Sequence, residues 1–427
     1  MARKMKDSGI EWIGKIPEGW EIRKIKNNFM IYAGATPKSE KAEYWDGGIP
    51  WITPADFKTT DKYVSYGRKS LTALGYDSCG TTLVPAGSII FSKRAPIGSV
   101  VIAKNILCTN QGCLACIPND AVNSTYFYYC MSIFTEQFEL VSAGTTFKEI
   151  AASTFASFLL PCPPLSQQNE IVNFLDKESS RIDSMLSKTR SSIEEYQKLK
   201  QAVITQAVTK GVRGEREMKD SGVDWIGKIN HSFSLIKLKY ICSILDQYRK
   251  PISADKRSQT GSVLYNYYGA SGAIDKIDDY TIDDHVMLIG EDGANLRMRN
   301  LPLMYEVNGK AWINNHAHIL KPTERVDFYY LFYALEGLDI NPYITGSAQP
   351  KLSQEKLQNI WVPLPDFEEQ QEIATYIRSK CAEIDKLIAK KEQLIKELES
   401  YKKSLIYEVI TGKREILTDI TRKFPNI

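Results

Sequence analysis

Twelve residues near the start of the chain, Met5-Lys-Asp-Ser-Gly-Ile-Glu-Trp-Ile-Gly-Lys-Ile16, return 213 positions later as Met218-Lys-Asp-Ser-Gly-Val-Asp-Trp-Ile-Gly-Lys-Ile229, with ten of the twelve identical. A duplicated segment of this length constrains the fold more than any local propensity, because one supersecondary frame must then be built twice. A second set of matches, 202 residues apart, aligns Tyr126-Phe-Tyr-Tyr129 with Phe328-Tyr-Tyr-Leu331, Gly144 with Gly346, and Leu160-Pro-Cys-Pro163 with Val362-Pro-Leu-Pro365. It continues through Gln168-Asn-Glu-Ile171 against Gln370-Gln-Glu-Ile373 and Ile182-Asp183 against Ile384-Asp385. The second copy is therefore 11 residues shorter in its middle. The middles do not match: Ile49-Pro-Trp-Ile-Thr53 and Phe91-Ser-Lys-Arg-Ala95 stand where the other copy has Tyr265-Asn-Tyr-Tyr-Gly269 and Leu288-Ile-Gly-Glu-Asp292. A shared frame with divergent interiors implies two equivalent readers of two different things.

Hydrophobic period separates globular from helical stretches. Beyond Pro161, Pro163 and Pro164, the apolar positions Ile171, Leu175, Ile182, Leu186, Ile193, Tyr196, Val203 and Ala207 step by threes, fours and sevens. Ile373, Ile377, Ile384, Ile388, Ile395, Leu398, Leu405 and Val409 repeat the pattern. Each run predicts a helix of roughly 40 residues and, at about 1.5 Å per residue, roughly 60 Å. A lone helix with such a stripe is unstable, so the two are expected to pair as an antiparallel coiled coil through Ile182, Leu186 and Ile193 on one and Ile384, Ile388 and Ile395 on the other. The fold class is α+β. Mixed α/β domains at 1–165 and 216–366 alternate with helical segments at 166–215 and 367–427 in a pseudo-two-fold repeat. Strands are expected around Thr82–Phe91, Val100–Ile102 and Val286–Ile289, and short helices near 125–140 and 326–337.

Composition rules out several functions. With 43% apolar and 25% charged residues the chain can bury cores. No apolar run has the 18 or so residues of a membrane span, and the Met1-Ala-Arg-Lys-Met-Lys-Asp7 start lacks a signal-peptide apolar region, so a cytoplasmic location is expected. Eight cysteines are far too few for a disulfide scaffold, and Cys113-Leu-Ala-Cys116 lies inside an apolar run, where buried thiols are expected rather than a zinc or redox pair. A net charge of +3 confines any nucleic-acid surface to local patches. There is no Walker loop, GxSxG or HExxH, and Asn341-Pro-Tyr-Ile344 lacks the second proline of an adenine-holding Asn-Pro-Pro-Tyr loop. No catalytic residue, metal site or cofactor site is expected on this chain. His316-Ala-His318 is read as hydrogen-bonding or DNA-facing rather than metal-binding, because no third metal ligand has suitable spacing.

What remains are turn-rich loops whose basic and amide side chains suit phosphates and base edges. In the first copy these are Lys38, Lys58, Lys93, Arg94, Asn110, Gln111, Thr145, Thr146 and Lys148. In the second they are Arg249, Lys250, Lys256, Arg257, Arg297, Arg299, Asn314, Asn315, His316, Gln349 and Lys351. Asn110-Gln111 and Asn315-His316 occupy equivalent points of the repeat. The Glu291-Asp-Gly-Ala-Asn295 stretch suits loop ordering better than phosphate contact, since carboxylates and phosphates repel.

The repeated Met5–Pro17 phrase, the Leu160-Pro-Cys-Pro-Pro-Leu-Ser-Gln-Gln168 lead into a long helix, Ile182-Asp183, and their second copies resemble the DNA specificity subunit of type I restriction-modification enzymes, over nearly the whole chain. Asn110-Gln-Gly112, Gly290-Glu-Asp-Gly-Ala294 and Asn315-His316 are similar to phrases of that family. The resemblance implies two target recognition domains, each reading one part of a split, asymmetric site on double-stranded DNA, and paired helices that act as a ruler across the unread spacer. It implies as partners two modification subunits, which bind S-adenosylmethionine and methylate adenine N6, and motor-nuclease restriction subunits using ATP and Mg. Two other readings stay open from the residues alone: the specificity subunit of a system whose modification and cleavage share one polypeptide, and a coiled-coil scaffold that binds protein. The second copy departs from the frame where Asn230-His-Ser-Phe233 replaces the Pro17-Glu-Gly-Trp20 turn.

Overall fold

The computed structural model describes residues 3–57, 61–142, 148–254, 257 and 263–416. They divide into two compact units, one of Met1–Lys188 with Leu394–Ile427 and the other of Thr189–Gln393. Among the described residues no helix is long and apolar enough to cross a membrane.

Two long helices dominate, Leu165–Lys210 of 46 residues and Phe367–Ile410 of 44 residues. Neither contains Gly or Pro, and prolines just upstream block any earlier start. They are longer than the heptad run alone suggested, about 69 and 66 Å at roughly 1.5 Å per residue. In the first unit the start of one helix and the end of the other run antiparallel: Ile182, Leu186, Leu405 and Ile406 share one core, flanked by half-buried Ile395 and Leu398. Lys402 Nζ donates to Asp183 there at 2.7 Å. In the second unit Lys200 Nζ donates to Asp385, also at 2.7 Å. Asp183 and Asp385 are repeat equivalents, as are Lys200 and Lys402, so one ion pair is made in each unit with the helices exchanging roles. Exposed pairs of this kind contribute under about 1 kcal/mol and serve mainly to fix register.

The duplicated twelve residues fold identically. Met5–Asp7 pairs with Lys15–Pro17, and Met218–Asp220 with Lys228–Asn230. In each turn an aspartate accepts from the glycine two residues on (Asp7 from Gly9, Asp220 from Gly222, both 2.9 Å), and a serine hydroxyl accepts from Ile10 or Val223 at 3.1 Å. Gly9, Gly14, Gly222 and Gly227 have φ of 73°, 68°, 71° and 68°, the left-handed region where only glycine is unstrained. The sequence identity is thus a turn requirement. Asn230-His-Ser-Phe233 preserves the following turn as well, since Phe233 N–H donates to Asn230 C=O at 3.0 Å just as Trp20 N–H donates to Pro17 C=O at 3.0 Å.

A two-stranded clasp then closes each domain onto the helix that follows it. Glu21–Lys24 pairs with Leu159–Cys162, and Ser234–Lys237 with Trp361–Leu364. Inside each clasp sits a short helix, Ser124–Ile133 or Phe328–Gly337, capped by Asn123 or Asp327. These caps stand 204 residues apart, so Tyr126 is equivalent to Tyr330 rather than to Phe328, a two-residue correction to the alignment read from the sequence. The hydroxyls confirm it: Tyr126 donates to Pro161 C=O at 3.2 Å and Tyr330 to Pro363 C=O at 2.5 Å.

Between frame elements the two domains carry different sheets. The first has five strands in the order Phe29–Ala33, Cys113–Pro118, Ile89–Ser92, Val100–Ala103 and Tyr63–Val64, plus a smaller three-stranded sheet built on Trp45–Ile52. The second has six, ordered Cys242–Ile244, Ala317–Pro322, Ile282–Gly290, Met304–Ile313, Tyr265–Gly269 and Gly272–Ile277. Cys113 and Cys116 are buried in the first sheet, and burial pushes both thiols well up.

Left-handed glycines close both long helices, Gly211 at φ 79° and Gly412 at φ 71°. A Cβ at Gly412 would also lie 2.4 Å from Pro17 Cδ. Gly412→Ala is expected to cost about 1–3 kcal/mol, combining left-handed strain with overpacking; a urea midpoint shift under a tenth of the wild-type value would count against this account.

Candidate nucleic-acid interface

In the first domain the basic loop after Ile89–Ser92 is braced by a carboxylate. Lys93 Nζ and Arg94 Nε reach Glu149 at 2.7 and 2.8 Å. These hydrogen bonds, that from Lys93 foremost, hold the Glu149 carboxyl below the usual range. Asn110 folds its own turn, its Oδ1 accepting from Gly112 N–H at 3.0 Å, while exposed Gln111 bonds the Thr36 hydroxyl. Gly34 permits that approach, because a Cβ there would lie 2.2 Å from Asn110 C=O. Lys38 and Lys148 are exposed. Lys58, Thr145 and Thr146 lie outside the described residues, as does Lys256 in the second domain.

In the second domain a charged network organises the loop ends. Arg249 pairs with Asp246 at 3.1 Å and with Glu291, and Lys351 reaches Glu291 at 3.0 Å. Burial alone would raise the Glu291 carboxyl, but the bonds from Arg249 and Lys351 outweigh it and hold it low. Buried His318 places Nδ1 2.6 Å from Asp246 and Nε2 2.8 Å from Leu352 C=O. His316 pairs with Asp292 at 2.7 Å, and buried Asn314 accepts the His316 N–H at 2.8 Å. Glu291 and its neighbours thus order the loop.

Other basic residues are braces as well. Arg299 donates to the backbone carbonyls of Glu336 and Leu338 at 2.7 and 2.5 Å, and Arg297 to Ile344 C=O at 3.2 Å. Arg257 reaches Asp275 at 2.9 Å and stacks 4.2 Å from the Tyr267 ring. Each of these side chains is thus held by a partner within the chain, a contact the sequence reading did not foresee. Lys250, Asn315 and Gln349 remain exposed alongside His316. Of the helix positions, Ile182, Leu186 and Ile384 are buried, and Ile193, Ile388 and Ile395 half-buried.

Two groups escaped the sequence reading. Lys310 lies over the Tyr280 ring at 4.5 Å beside Tyr265, an aromatic and basic face assembled from separate segments. In the first domain Arg68 and Lys69 border an open groove with Asp46. No spacing signal joins these residues in the sequence, because the chain between them is long or irregular.

Asp56 anchors that groove. Its side chain is buried and accepts from Thr53 N–H (2.8 Å), Thr53 Oγ1 (2.7 Å), Arg68 N–H (3.0 Å) and Arg68 Nε (3.1 Å). Burial pushes its carboxyl up, but the hydrogen bonds from Thr53 and Arg68 win and the net shift is downward. A lowered carboxyl contributes stability that is fully present above its ordinary pKa and is lost as pH falls through the lowered value. Asp56→Asn is therefore expected to cost about 1 kcal/mol near neutral pH, discounted for the exposed Arg68, and to flatten the acid side of the pH–stability curve. Thermal melts across an acid titration check it; an unchanged acid limb would sink the assignment.

Against known proteins the chain matches the type I restriction modification DNA specificity domain twice, at residues 17–195 and 231–400. It is 38% identical over 190 residues to the type I restriction enzyme MjaIX specificity subunit of Methanocaldococcus jannaschii, a match spanning 44% of this chain and 43% of that protein, less than half of either. The MjaVIII specificity subunit of the same organism is 22% identical over 93% of this chain and 94% of that one. The EcoprrI specificity subunit of Escherichia coli is 24% identical over 87% and 90%. Among solved structures, a chain of the type I R-M system superposes with TM-score 0.73 at 14% identity, covering 93% of this chain and 99% of that one. The HsdS subunit from Thermoanaerobacter tengcongensis gives 0.50 at 15%, covering 93% and 98%. These structures share the fold of mixed sheets and long helices, and the doubled match falls on the doubled frame: the chain belongs to the type I restriction-modification DNA specificity family.

Proposed function

We propose that this chain is the non-catalytic DNA-reading subunit of a type I restriction-modification complex. Each domain, 1–165 and 216–366, reads one half of a bipartite, asymmetric site on double-stranded DNA, and the helical segments 166–215 and 367–427 set the spacer between the halves. Two modification subunits, which bind S-adenosylmethionine, methylate adenine N6 where this chain directs them, and ATP- and Mg-dependent restriction subunits cut. The carrying observation is the construction itself: one hook, clasp and helix frame built twice around two unlike sheets. A frame repeated to the hydrogen bond gives two equivalent mounts, and unlike interiors give two unlike readings. Loops rich in Lys, Arg, Asn and Gln at the sheet ends supply phosphate and base-edge chemistry.

The test is methylome sequencing of DNA from a methylation-free host that expresses this chain with its modification subunit. N6-methyladenine in two short blocks at a fixed gap is the expected result. A soluble complex of both subunits that leaves the DNA unmethylated overturns the reading.

A further inference from the structure

Arg68 stands out among the described residues of the first domain for how it is held and what is left free. One oxygen of Asp56, Oδ1, accepts both Arg68 N–H and Arg68 Nε, at 3.0 and 3.1 Å, so the backbone and the side chain of Arg68 are fixed by the same atom. The other oxygen is saturated by Thr53. The Asp56 side chain is 4% exposed whereas that of Arg68 is 73% exposed. Gly67 makes this closure possible, since a Cβ there would lie 2.4 Å from Trp51 C=O and 3.0 Å from Asp56 Oδ2.

Arg213 turns its fork onto Glu372 with Nε and Nη2, whereas Arg23, Arg94 and Arg68 each meet a carboxylate through Nε, and of these three only Arg68 is shown with its backbone N–H on the same carboxylate oxygen. The Arg68 side chain is gripped by Nε alone, which leaves Nη1 and Nη2 without a hydrogen bond among the described residues. Two parallel donors of this kind match the O6 and N7 acceptors of guanine in the major groove. They match two phosphate oxygens equally well, and the rest of the groove decides between the two. It is an open volume of about 240 Å³ bordered by Asp46, Gly48, Tyr66, Arg68 and Lys69. Asp46 is exposed and held at φ 60°, a left-handed conformation costly for a residue with a Cβ. A carboxylate on the rim repels phosphate, but it accepts from cytosine N4. Guanidinium fork and carboxylate together fit the donor and acceptor edge of a G·C pair. Lys69, its Nζ 4.8 Å from the Trp45 ring, supplies positive charge beside them.

We infer that Arg68, positioned by Asp56 and accompanied by Asp46, reads a guanine in the half-site of the first domain. The inference rests on the reading of this chain as a DNA specificity subunit and adds a named residue and base to it. Preorganisation by a buried carboxylate removes much of the ordering cost that an exposed arginine otherwise carries into binding.

The test compares methylomes written by the full complex carrying wild-type chain, Arg68→Lys or Arg68→Ala. Lysine keeps the charge and a donor for Asp56 but has no fork, so it remains informative if alanine leaves Asp56 unpaired and the domain unfolds. The expected result is a G·C position in one block of the wild-type motif at which both variants lose roughly ten- to one-hundredfold preference, with the other block and the gap unchanged. An unaltered motif, an even fall of methylation at all sites with the motif intact, or a wild-type block without G·C overturns the inference while leaving the proposed function standing. Absence of any bipartite motif with wild-type chain is failure of the proposed function itself.

Discussion

Lengthening both long helices by one heptad, between Lys188 and Thr189 and between Gln393 and Leu394, is expected to widen the gap in the methylated motif by roughly 3 base pairs and to leave both blocks unchanged. Seven residues add about 10.5 Å of helix, and duplex DNA rises about 3.4 Å per base pair. The insertion points coincide with the division between the two units, so each domain keeps its own core. Adding the same number to both helices preserves the antiparallel register that pairs Asp183 with Lys402 and Asp385 with Lys200. A heptad, rather than three or five residues, returns the apolar stripe to the same face. Lengthening one helix alone would break one of those registers, and loss of complex is expected. Methylome sequencing reads both variants. A changed block with an unchanged gap would falsify the ruler and place specificity in the helices themselves.

What was legible in the sequence follows from where physical constraints are local. The twelve-residue repeat is legible because its serine, aspartate and glycines each have a turn contact to make, and the structure shows the same contacts at Gly9 and Gly222 and at Ser8 and Ser221. The long helices were legible from period, but not their full length: at 46 and 44 residues both run past the roughly 40 that the apolar stripe suggested. The interior of each domain was not. Alignment by letters set Tyr126 against Phe328, whereas the capping bonds of Asn123 and Asp327 place the equivalence two residues on. The partners of the basic loop residues were not legible either. Arg249, Arg299 and Lys93 look alike in sequence to any DNA-facing side chain, but each meets a carboxylate or carbonyl brought close only by the fold. Arg68 drew no notice for the converse reason, because the buried Asp56 that orients it is recognisable only once both are placed.

The repeated glutamine in the first turn of each long helix carries the second large effect. Gln168 accepts from Asn123 N–H and donates to Pro163 C=O, both at 2.8 Å. Gln370 accepts from Asp327 N–H at 2.9 Å and donates to Pro365 C=O at 3.0 Å. Both residues are 1% exposed, so truncation would leave one backbone donor and one acceptor without a partner in each case. At about 1–3 kcal/mol for each orphaned group, Gln168→Ala and Gln370→Ala are each expected to cost roughly 2–4 kcal/mol. The loss should be confined to the unit that holds the residue, because the two glutamines share no bonding partner and sit in separate cores. Hydrogen exchange resolved by peptide separates the outcomes: reduced protection within 1–188 and 394–416 for the first variant, and within 189–393 for the second. Protection lost evenly across both would mean one cooperative block, and a cost under about 0.5 kcal/mol would mean that solvent replaces the glutamine. The glutamine fastens the cap of a domain helix to the proline turn that launches the long helix, so the seating of each domain helix on its long helix depends on one side chain. The same side chain is found in both copies because the joint is the part that the two unlike domains have in common.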